Sequence, residues 1–220
     1  MLRLDPFTIV VRAIVLLTTI PIHEAAHAWV ADKLGDPTGR YRGRLTLNPM
    51  AHFDPMGTAS LLLFGIGWAK PVPVNPLNFK NSKKGMAITA AAGPVSNVMV
   101  AAISLMVAKI ILYMGYLTGF GYVMQTLYTV FYTMCTINIS LAIFNLMPFP
   151  PFDGSRIFNY FLSDKYYFKI MQYEQYIFIG IFVLLYLGVF DIPLGILSNL
   201  VYFIINKLTF FVDIIFKMII

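Results

Sequence analysis

The sequence has little charge for its length. Asp, Glu, Lys and Arg make up only 12% of its 220 residues, whereas 59% are hydrophobic and the mean hydropathy is +0.75. Because a soluble domain carries about a quarter charged residues, this composition excludes an ordinary soluble domain. It predicts an integral membrane protein that lies in the lipid bilayer. We expect one domain over residues 1–220, with no room for a second.

Cysteine is almost absent, and the basic residues are scattered. The single cysteine, Cys135, excludes a disulfide within the chain, and its apolar surroundings predict a small packed residue. The net charge of +6 does not indicate nucleic-acid binding, because Lys and Arg fall in short loops between apolar runs. The first apolar run superficially resembles a signal peptide, but Arg12 interrupts it and its length predicts a retained span.

What the sequence has instead is long apolar runs. A spanning helix needs about 20 mostly apolar residues. Four runs meet this length, a fifth over 172–190 is slightly short, and a sixth over 57–69 is short enough to be re-entrant or interfacial. We therefore predict an all-α, multi-pass membrane protein with about five to six transmembrane helices. Its core spans are 7–31, 85–115 and 121–147, and its accessory spans are 172–190 and 194–217.

The region between the first two core spans departs from the helical pattern. Gly39 and Gly43 punctuate it, and Leu45 and Leu47 alternate with polar residues in "RLTLN". This pattern predicts a short, membrane-associated β-hairpin. The two leucines are candidate substrate-binding residues, since an extended peptide could add to the edge of such a strand. The proline-rich stretch 70–79 is predicted to be extended.

The basic residues predict the orientation in the membrane. The 32–84 segment contains eight Lys and Arg residues and the 148–171 segment contains three, whereas the turns at 116–120 and 191–193 contain none. The positive-inside rule places both basic segments in the cytoplasm. With five spans, the N-terminus is then outside and the C-terminus inside, and we expect the cell membrane as the location.

Two histidines and a glutamate close the first apolar run, in "IPIHEAAHAWV". On a helix His23 and His27 share one face, so both imidazoles can bind one Zn²⁺, with Glu24 beside them as general base. Such residues are costly inside a span, which favours a functional site over chance. His23 lies about 12 Å from the end of the span. Catalytic zinc typically has three protein ligands, and the residues alone leave His52 and the aspartates as candidates for the third.

A second polar motif, "NLMPFPPFDG" at 145–154, ends the third core span on the same predicted side of the membrane. Its prolines keep the backbone extended and Gly154 permits a turn, so the segment could fold back and present Asp153. Spacing alone favours a simpler interpretation, in which Asp153 is the N-cap of a helix that starts near Ser155.

The order of these motifs resembles that of the site-2 protease family of intramembrane zinc metalloproteases. The resemblance covers the three core spans and much of the first loop, and its motifs are His23-Glu24-x-x-His27, "AAGPVSN" (91–97) and 145–154. One departure is Phe152, where the family usually has Leu. No segment is long enough for the additional peptide-binding or nucleotide-binding domains of many members, so we expect a membrane-only member.

The resemblance implies a role for each residue of these motifs. Asp153 is implied as the third ligand of one Zn²⁺ per chain, and Asn145 as a group that holds substrate backbone or the developing oxyanion. Pro94 and Asn97 are expected to shape the packing between core helices near the site. His52 then becomes a structural residue or a support for the ligands.

The expected activity is zinc-dependent hydrolysis of a peptide bond in or next to the transmembrane helix of a membrane-protein substrate. This chemistry is that of regulated intramembrane proteolysis, with the active site toward the cytoplasmic side. A metal or solute transporter is an alternative, because intramembrane His and Asp also suit transport, but a transporter gains nothing from a base at Glu24. An inactive membrane adaptor is a second alternative, which the intact ligand set opposes.

Overall fold

The computed structural model describes residues 6–57, 59, 69–119, 121–163, 166, 169–170 and 172–218. Within them the chain is helical, which confirms the all-α prediction for the described residues. The helices are α1 (Pro6–Lys33), α2 (Thr38–Tyr41), α3 (Pro49–His52), α4 (Ser82–Thr118), α5 (Tyr122–Asn145), α6 (Asp153–Asn159), α7 (Glu174–Tyr186), α8 (Asp191–Leu208) and α9 (Phe210–Lys217), and a 3-10 turn spans Pro76–Asn78.

Four helices in the described part of the chain are long and apolar enough to cross a membrane: Ile9–Lys33 within α1, and α4, α5 and α8. The expected count of five to six is not reached there. The predicted span over 172–190 corresponds to α7, which has 13 residues and a length of about 20 Å. That is shorter than the bilayer's hydrocarbon core of about 30 Å.

The predicted span over 194–217 is divided in the structure. Thr209 separates α8 from α9 and donates its hydroxyl hydrogen to the Ile205 carbonyl at 3.0 Å. Thr126 and Thr129 make the same bond inside the unbroken α5, so this bond does not by itself explain why one apolar run forms two helices. The short helix predicted over 57–69 lies mostly outside the described residues.

The β-hairpin predicted after the first span is not found, because the described residues of 39–55 contain no strand. Gly43, with a φ of +67°, turns the chain after α2. Asn48 then caps α3, its side chain accepting the N–H two residues on at 3.1 Å, and Pro49 occupies the first turn. Residues 44–47 between these turns form no ladder with another segment among the described residues, so the alternation of Leu45 and Leu47 does not decide the structure.

Helix α4 is central to the bundle and packs along α5 and α1. Ala101, Ser104 and Ala108 of α4 are buried, and small side chains of this kind allow helix backbones to approach closely. One apolar cluster joins α4, α5 and α8 through Leu105, Cys135 and Ile205. Cys135 is fully buried in it, in agreement with the prediction of a packed residue.

A proline-rich segment over residues 69–75, here named the strap, runs back from α3 toward the end of α1. It is non-helical, and the 3-10 turn at Pro76–Asn78 shortens the extended stretch predicted over 70–79. At one end the Lys70 N–H donates to the His52 carbonyl at 3.0 Å. At the other end the Asn75 N–H donates to the Asp36 carboxylate at 2.8 Å.

Asp36, which follows α1, fixes the far end of the strap. It is fully buried and also accepts hydrogen bonds from Thr38 and from the Asn78 side chain. Burial alone would raise the pKa of Asp36, but the hydrogen bonds from Thr38, Asn78 and Asn75 outweigh burial and lower the pKa. Asp36 is therefore ionised at neutral pH and holds the strap against α1.

Candidate metal centre

Two imidazole nitrogens meet on one face of α1. His23 and His27 lie one turn apart, as their spacing predicts, with ring centroids 4.7 Å apart and ring planes at 83°. Their Nε2 atoms are separated by 3.0 Å. Pro21 lies inside α1 without ending it, so the helix continues through both histidines.

Asp153 brings a carboxylate oxygen to the same point. Its Oδ2 atom lies 3.3 Å from His23 Nε2 and 3.2 Å from His27 Nε2. Asp153 is the first residue of α6, and the N-cap is Phe152, so the simpler N-cap interpretation is not the one found. A Cβ added at Gly154 would lie 2.2 Å from a carbonyl oxygen just after α5. This close approach folds α6 back against the end of α5.

The three donor atoms, here named the donor group, have nearly the spacing that a tetrahedral zinc ion requires. Zn–N and Zn–O bonds of about 2.0–2.2 Å place two ligands of a tetrahedral ion about 3.3–3.5 Å apart. The observed separations are 3.0, 3.2 and 3.3 Å. Among the described residues, this is the set of His, Cys, Asp and Glu side chains that could hold a metal ion. Three protein donors leave one position for water, as in catalytic zinc sites.

A backbone carbonyl of α4 sets the orientation of His27. The Nδ1 atom of His27 lies 2.8 Å from the Thr89 carbonyl oxygen, 62 residues away in sequence. Because a carbonyl oxygen only accepts hydrogen bonds, Nδ1 carries the proton and donates it. Nε2 then has a free lone pair directed at the donor group, which is the arrangement that metal-binding histidines usually adopt.

Gly93 of α4 is the surface against which both imidazoles pack. A Cβ at this position would lie 2.4 Å from His27 Nε2 and 2.5 Å from His23 Cε1, which is closer than such atoms approach. The sequence analysis included Gly93 in the motif AAGPVSN but gave it no role of its own, and it missed Thr89. A glycine within a spanning helix does signal close helix packing, so Gly93 could have been found, whereas a backbone carbonyl leaves no such signal.

The sequence analysis selected Pro94 and Asn97 from the motif AAGPVSN (91–97). Both residues are buried in α4 close to Gly93. Pro94 lies inside the helix, and Asn97, one turn beyond Gly93, is 1% exposed. Neither polar atom of the Asn97 amide has a hydrogen-bond partner among the described residues. Burial is compatible with the packing role expected of both residues, which stays a prediction.

Glu24 and Asn145 lie outside the donor group. Glu24 Oε2 accepts a hydrogen bond from the Val72 N–H of the strap at 3.1 Å. Asn145 is the half-buried last residue of α5, immediately before the turn that leads to Asp153. Asn145 is therefore close to Asp153 along the chain. Its catalytic role stays a prediction.

His52 also lies outside the donor group. Its side chain is 1% exposed, and its Nε2 atom is 2.9 Å from the Thr46 carbonyl oxygen. The His52 carbonyl holds the strap, as described above. The described residues therefore place His52 between Thr46, in the segment that joins α2 to α3, and the strap, and they do not bring it to the metal donors.

Leu45 and Leu47 line an open groove of about 430 Å³. The opposite wall is one face of α1, and the lining residues are apolar apart from Thr46: Ile22, Ala25, Ala26, Trp29, Leu45 and Leu47. Ile22 precedes His23 and Ala25 follows Glu24 in the chain, so the groove runs alongside the His-Glu-x-x-His turn. The helix residues of the groove are spaced so that they form a face of α1 different from that of His23 and His27, so the leucines lie at the level of the candidate site but not against its donors.

Comparisons with known proteins give one consistent result. A family model described as peptidase family M50 matches residues 11–188. The chain is 40% identical over 184 residues to "Putative zinc metalloprotease YwhC" of Bacillus subtilis (strain 168), covering 83% of this chain and 80% of that protein. It is 25% identical over 178 residues to "Putative zinc metalloprotease Rip2" of Mycolicibacterium smegmatis (strain ATCC 700084 / mc(2)155), covering 77% of this chain and 64% of that protein. No solved structure matches the chain significantly.

Proposed function

The chain belongs to peptidase family M50, the site-2 protease family of metalloendopeptidases, and we propose that it is a zinc-dependent protease of membrane proteins. The peptide bond that it hydrolyses lies in or next to a transmembrane helix of the substrate, as in regulated intramembrane proteolysis. The observation that carries this proposal is the convergence of His23, His27 and Asp153, beside Glu24, on a helix apolar enough to span a bilayer.

The donor group of His23, His27 and Asp153 would hold one zinc ion per chain. A bound zinc ion lowers the pKa of its water toward 7 and polarises the scissile carbonyl. The protein orients the imidazole rings of the two histidines. The Thr89 carbonyl holds the His27 ring, and Gly93 lets both rings approach α4. Ligands that are oriented before the metal arrives favour a defined coordination geometry.

Glu24 is the general base in this proposal. It lies on the same turn of α1 as the two histidines but outside the donor group, so it is free to exchange a proton. Its carboxylate accepts a proton from the attacking water and passes it to the leaving amine. This step requires a carboxylate that is close to the donor group and is not itself a ligand.

Asn145 is proposed to donate a hydrogen bond to the developing oxyanion or to the substrate backbone. Donors aimed at charge that develops in the transition state contribute strongly to catalysis. The position of Asn145 supports this role, because it ends α5 at the turn that carries Asp153 into the donor group.

The groove lined by Leu45 and Leu47 is the proposed substrate-binding surface. Transmembrane segments carry apolar side chains, and the groove is apolar and lies beside the turn that holds Glu24. We therefore assign it an apolar side chain of the substrate some residues away from the scissile bond, since the groove and the donor group occupy different faces of α1. Pairing with a strand edge is not retained, because the described residues 44–48 form no strand.

The proposed location is the cell membrane, with the donor group toward the cytoplasmic side. The 32–84 segment, which joins the end of α1 to the start of α4, contains eight Lys and Arg residues. The positive-inside rule favours the cytoplasm for such a segment. The donor group lies in the halves of α1 and α4 that adjoin this segment, at His27 and Thr89.

Replacing Glu24 with Gln tests the proposed function. Gln keeps the size and the hydrogen-bonding capacity of Glu but cannot act as a base, so the cleavage rate should fall at least about a hundredfold. Zinc should be retained, because Glu24 is not a donor. The measurements are a comparison of membrane-protein fragments from cells that produce the wild-type or the Glu24→Gln protein, and the zinc content of both purified proteins.

Two variants serve as controls. Asp32→Asn changes a carboxylate at the end of α1 that pairs with Arg40, and it should leave fragment production unchanged. The double variant His23→Ala, His27→Ala should lose both zinc and fragments. Undiminished fragment production by Glu24→Gln, or a defect confined to zinc flux across a sealed membrane, would show that the protease proposal is wrong.

A further inference from the structure

The strap approaches the proposed active site through a single backbone group. The Val72 N–H donates to Glu24 Oε2 at 3.1 Å across 48 residues of sequence. Glu24 is not part of the donor group. The hydrogen bond from Val72 can therefore fix the orientation of its carboxylate. A hydrogen bond of this kind orients a carboxylate only if its donor is itself held in place.

The side chain of Val72 anchors this backbone group in a packed position. Val72 is buried, and a Cβ added at Gly39 of α2 would lie 3.2 Å from Val72 Cγ1 and 3.3 Å from Ala28 Cβ. Val72, Gly39 and Ala28 therefore pack at one point. Ala28 lies one turn after Glu24 on the same face of α1, so this packing places the Val72 backbone directly over Glu24.

The sequence of the strap restricts which groups can face Glu24. Pro71 and Pro73 flank Val72, and proline has no N–H to donate. The residue before a proline is also biased toward an extended backbone, which applies to both Lys70 and Val72. The Val72 N–H is consequently the one backbone donor between Pro71 and Pro73.

The opposite side of the strap is also held. The Arg44 guanidinium donates to the Pro71 carbonyl at 3.2 Å and to the Ala51 carbonyl, and Arg44 is itself buried. Together with the bonds from Lys70 to His52 and from Asn75 to Asp36, this contact fixes the strap on both sides of Val72. The donor that faces Glu24 is therefore part of a rigid segment.

We propose that the Val72 backbone N–H is a positioning group for the general base. It holds Oε2 of Glu24 and leaves Oε1 directed toward the water that Glu24 deprotonates. This inference rests on the proposed protease function, in which Glu24 is the base. Its physical reason is that misplacement of a catalytic group by about 1 Å can cost on the order of a hundredfold in rate.

The variant Val72→Pro tests the proposal, because it removes the N–H while keeping an extended backbone between two prolines. The substrate is a purified membrane protein whose fragments depend on Glu24 in the cellular comparison above. We expect kcat to fall about tenfold or more, since a hydrogen bond to a charged group is lost, with unchanged KM and zinc content. Val74→Pro is the matched control: it removes another N–H of the strap, one with no hydrogen-bond partner among the described residues, and should keep most of kcat.

A second substitution removes the N–H without changing the side chain. Incorporation of the α-hydroxy analogue of valine at position 72 replaces the peptide N–H with an ester oxygen, and it should lower kcat as Val72→Pro does. In the Glu24→Gln background neither change should lower the residual rate further, because the base is already absent. This coupling separates positioning of Glu24 from a general structural role.

The outcomes distinguish this proposal from the proposed function. If Glu24→Gln abolishes cleavage but the ester variant keeps full kcat, only the role of Val72 is wrong. Loss of zinc in the ester variant, or an equal loss of kcat in Val74→Pro, would also overturn it, because the strap would then support the fold and not the base. If Glu24→Gln cleaves normally, the protease function itself fails.

Discussion

At the scale of single residues, the candidate metal centre depends on groups that are not donors. Gly93 and the Thr89 carbonyl of α4 determine where the imidazoles of α1 lie. Neither can be replaced by adjusting His23 or His27, because both rings already pack against α4. The absence of a side chain at Gly93 is therefore as necessary to the site as the presence of the ligands.

Gly93→Ala should disrupt zinc binding. The added Cβ would lie 2.4 Å from His27 Nε2, so at least one imidazole must move away from the donor group. Changes to groups that orient metal ligands typically lower affinity about 10–100-fold, and we expect a loss of this size in zinc titrations of the purified protein.

The matched control is Gly195→Ala in α8, where an added Cβ meets no atom within 4 Å. This variant should bind zinc like the wild type. If Gly93→Ala also binds zinc with wild-type affinity, then the close approach of the imidazoles to α4 does not constrain the site.

At the scale of helices, α9 is attached to α4 by an ion pair between the buried Lys109 and the part-buried Asp213. Lys109 Nζ lies 2.6 Å from Asp213 Oδ2, and the Tyr113 hydroxyl donates to Asp213 Oδ1 at 2.9 Å. The rings of Tyr113 and Phe216 stack with centroids 4.8 Å apart. Charges within apolar surroundings must be paired, so this contact explains how a helix that follows the break at Thr209 stays docked.

Asp213→Asn should destabilise the protein, because Lys109 keeps its charge and loses its carboxylate partner. Breaking a fully buried pair from one side costs about 3–5 kcal/mol, which is an upper limit here because Asp213 is part-exposed, whereas replacing both charges with apolar residues is often neutral or stabilising. The double variant Lys109→Met, Asp213→Met should therefore recover most of the stability. Unfolding of the purified proteins in mixed detergent micelles measures both changes.

Asp191→Asn, at the exposed first residue of α8, is the control and should have little effect. The result that would contradict this account is a double variant as unstable as Asp213→Asn. The ion pair would then not be what docks α9.

At the scale of the whole molecule, the contacts between helices show which helix ends lie at the same end of the bundle. His27 contacts Thr89 and His23 packs on Gly93, so α1 and α4 run in opposite directions. Lys109 lies 16 residues beyond Gly93, or about 24 Å along α4. Because α9 docks at Lys109, the described C-terminal helix lies at the end of the bundle away from the donor group.

This arrangement predicts a membrane topology that differs from the five-span expectation. With α1, α4, α5 and α8 as spans, the C-terminal helix and the turn after α4 share one side, and the start of α4 lies on the other. In a Cys135→Ser background, cysteines at Thr118 and Lys217 should react with an impermeant reagent from the same side. A cysteine at Ser82 should react from the opposite side.

Labelling of the Lys217 cysteine from the same side as the Ser82 cysteine would contradict this prediction. It would mean that α7, or residues next to it, crosses the bilayer, as the sequence analysis expected for 172–190. A cysteine at Arg42, in the loop that joins α1 to α4, is a second marker for the Ser82 side.

Features with local signals could be predicted from the amino-acid sequence alone. Apolar runs of spanning length predicted α1, α4 and α5, and the period of a helix placed His23 and His27 on one face. The resemblance to a family added Asp153, which spacing alone assigned to a helix cap. The prediction of a β-hairpin was wrong because two local patterns overlap there. The turns at Gly43 and Asn48 form, and the alternation of Leu45 and Leu47 does not produce a strand.

The backbone groups that complete the site could be identified only from the folded structure. The Thr89 carbonyl meets His27 across 62 residues, and the Val72 N–H meets Glu24 across 48. Every residue except proline carries the same N–H and carbonyl, so nothing in a sequence marks one carbonyl as the partner of a histidine or one N–H as the partner of a glutamate. These contacts exist because packing brings distant segments together, and packing is a property of the folded chain.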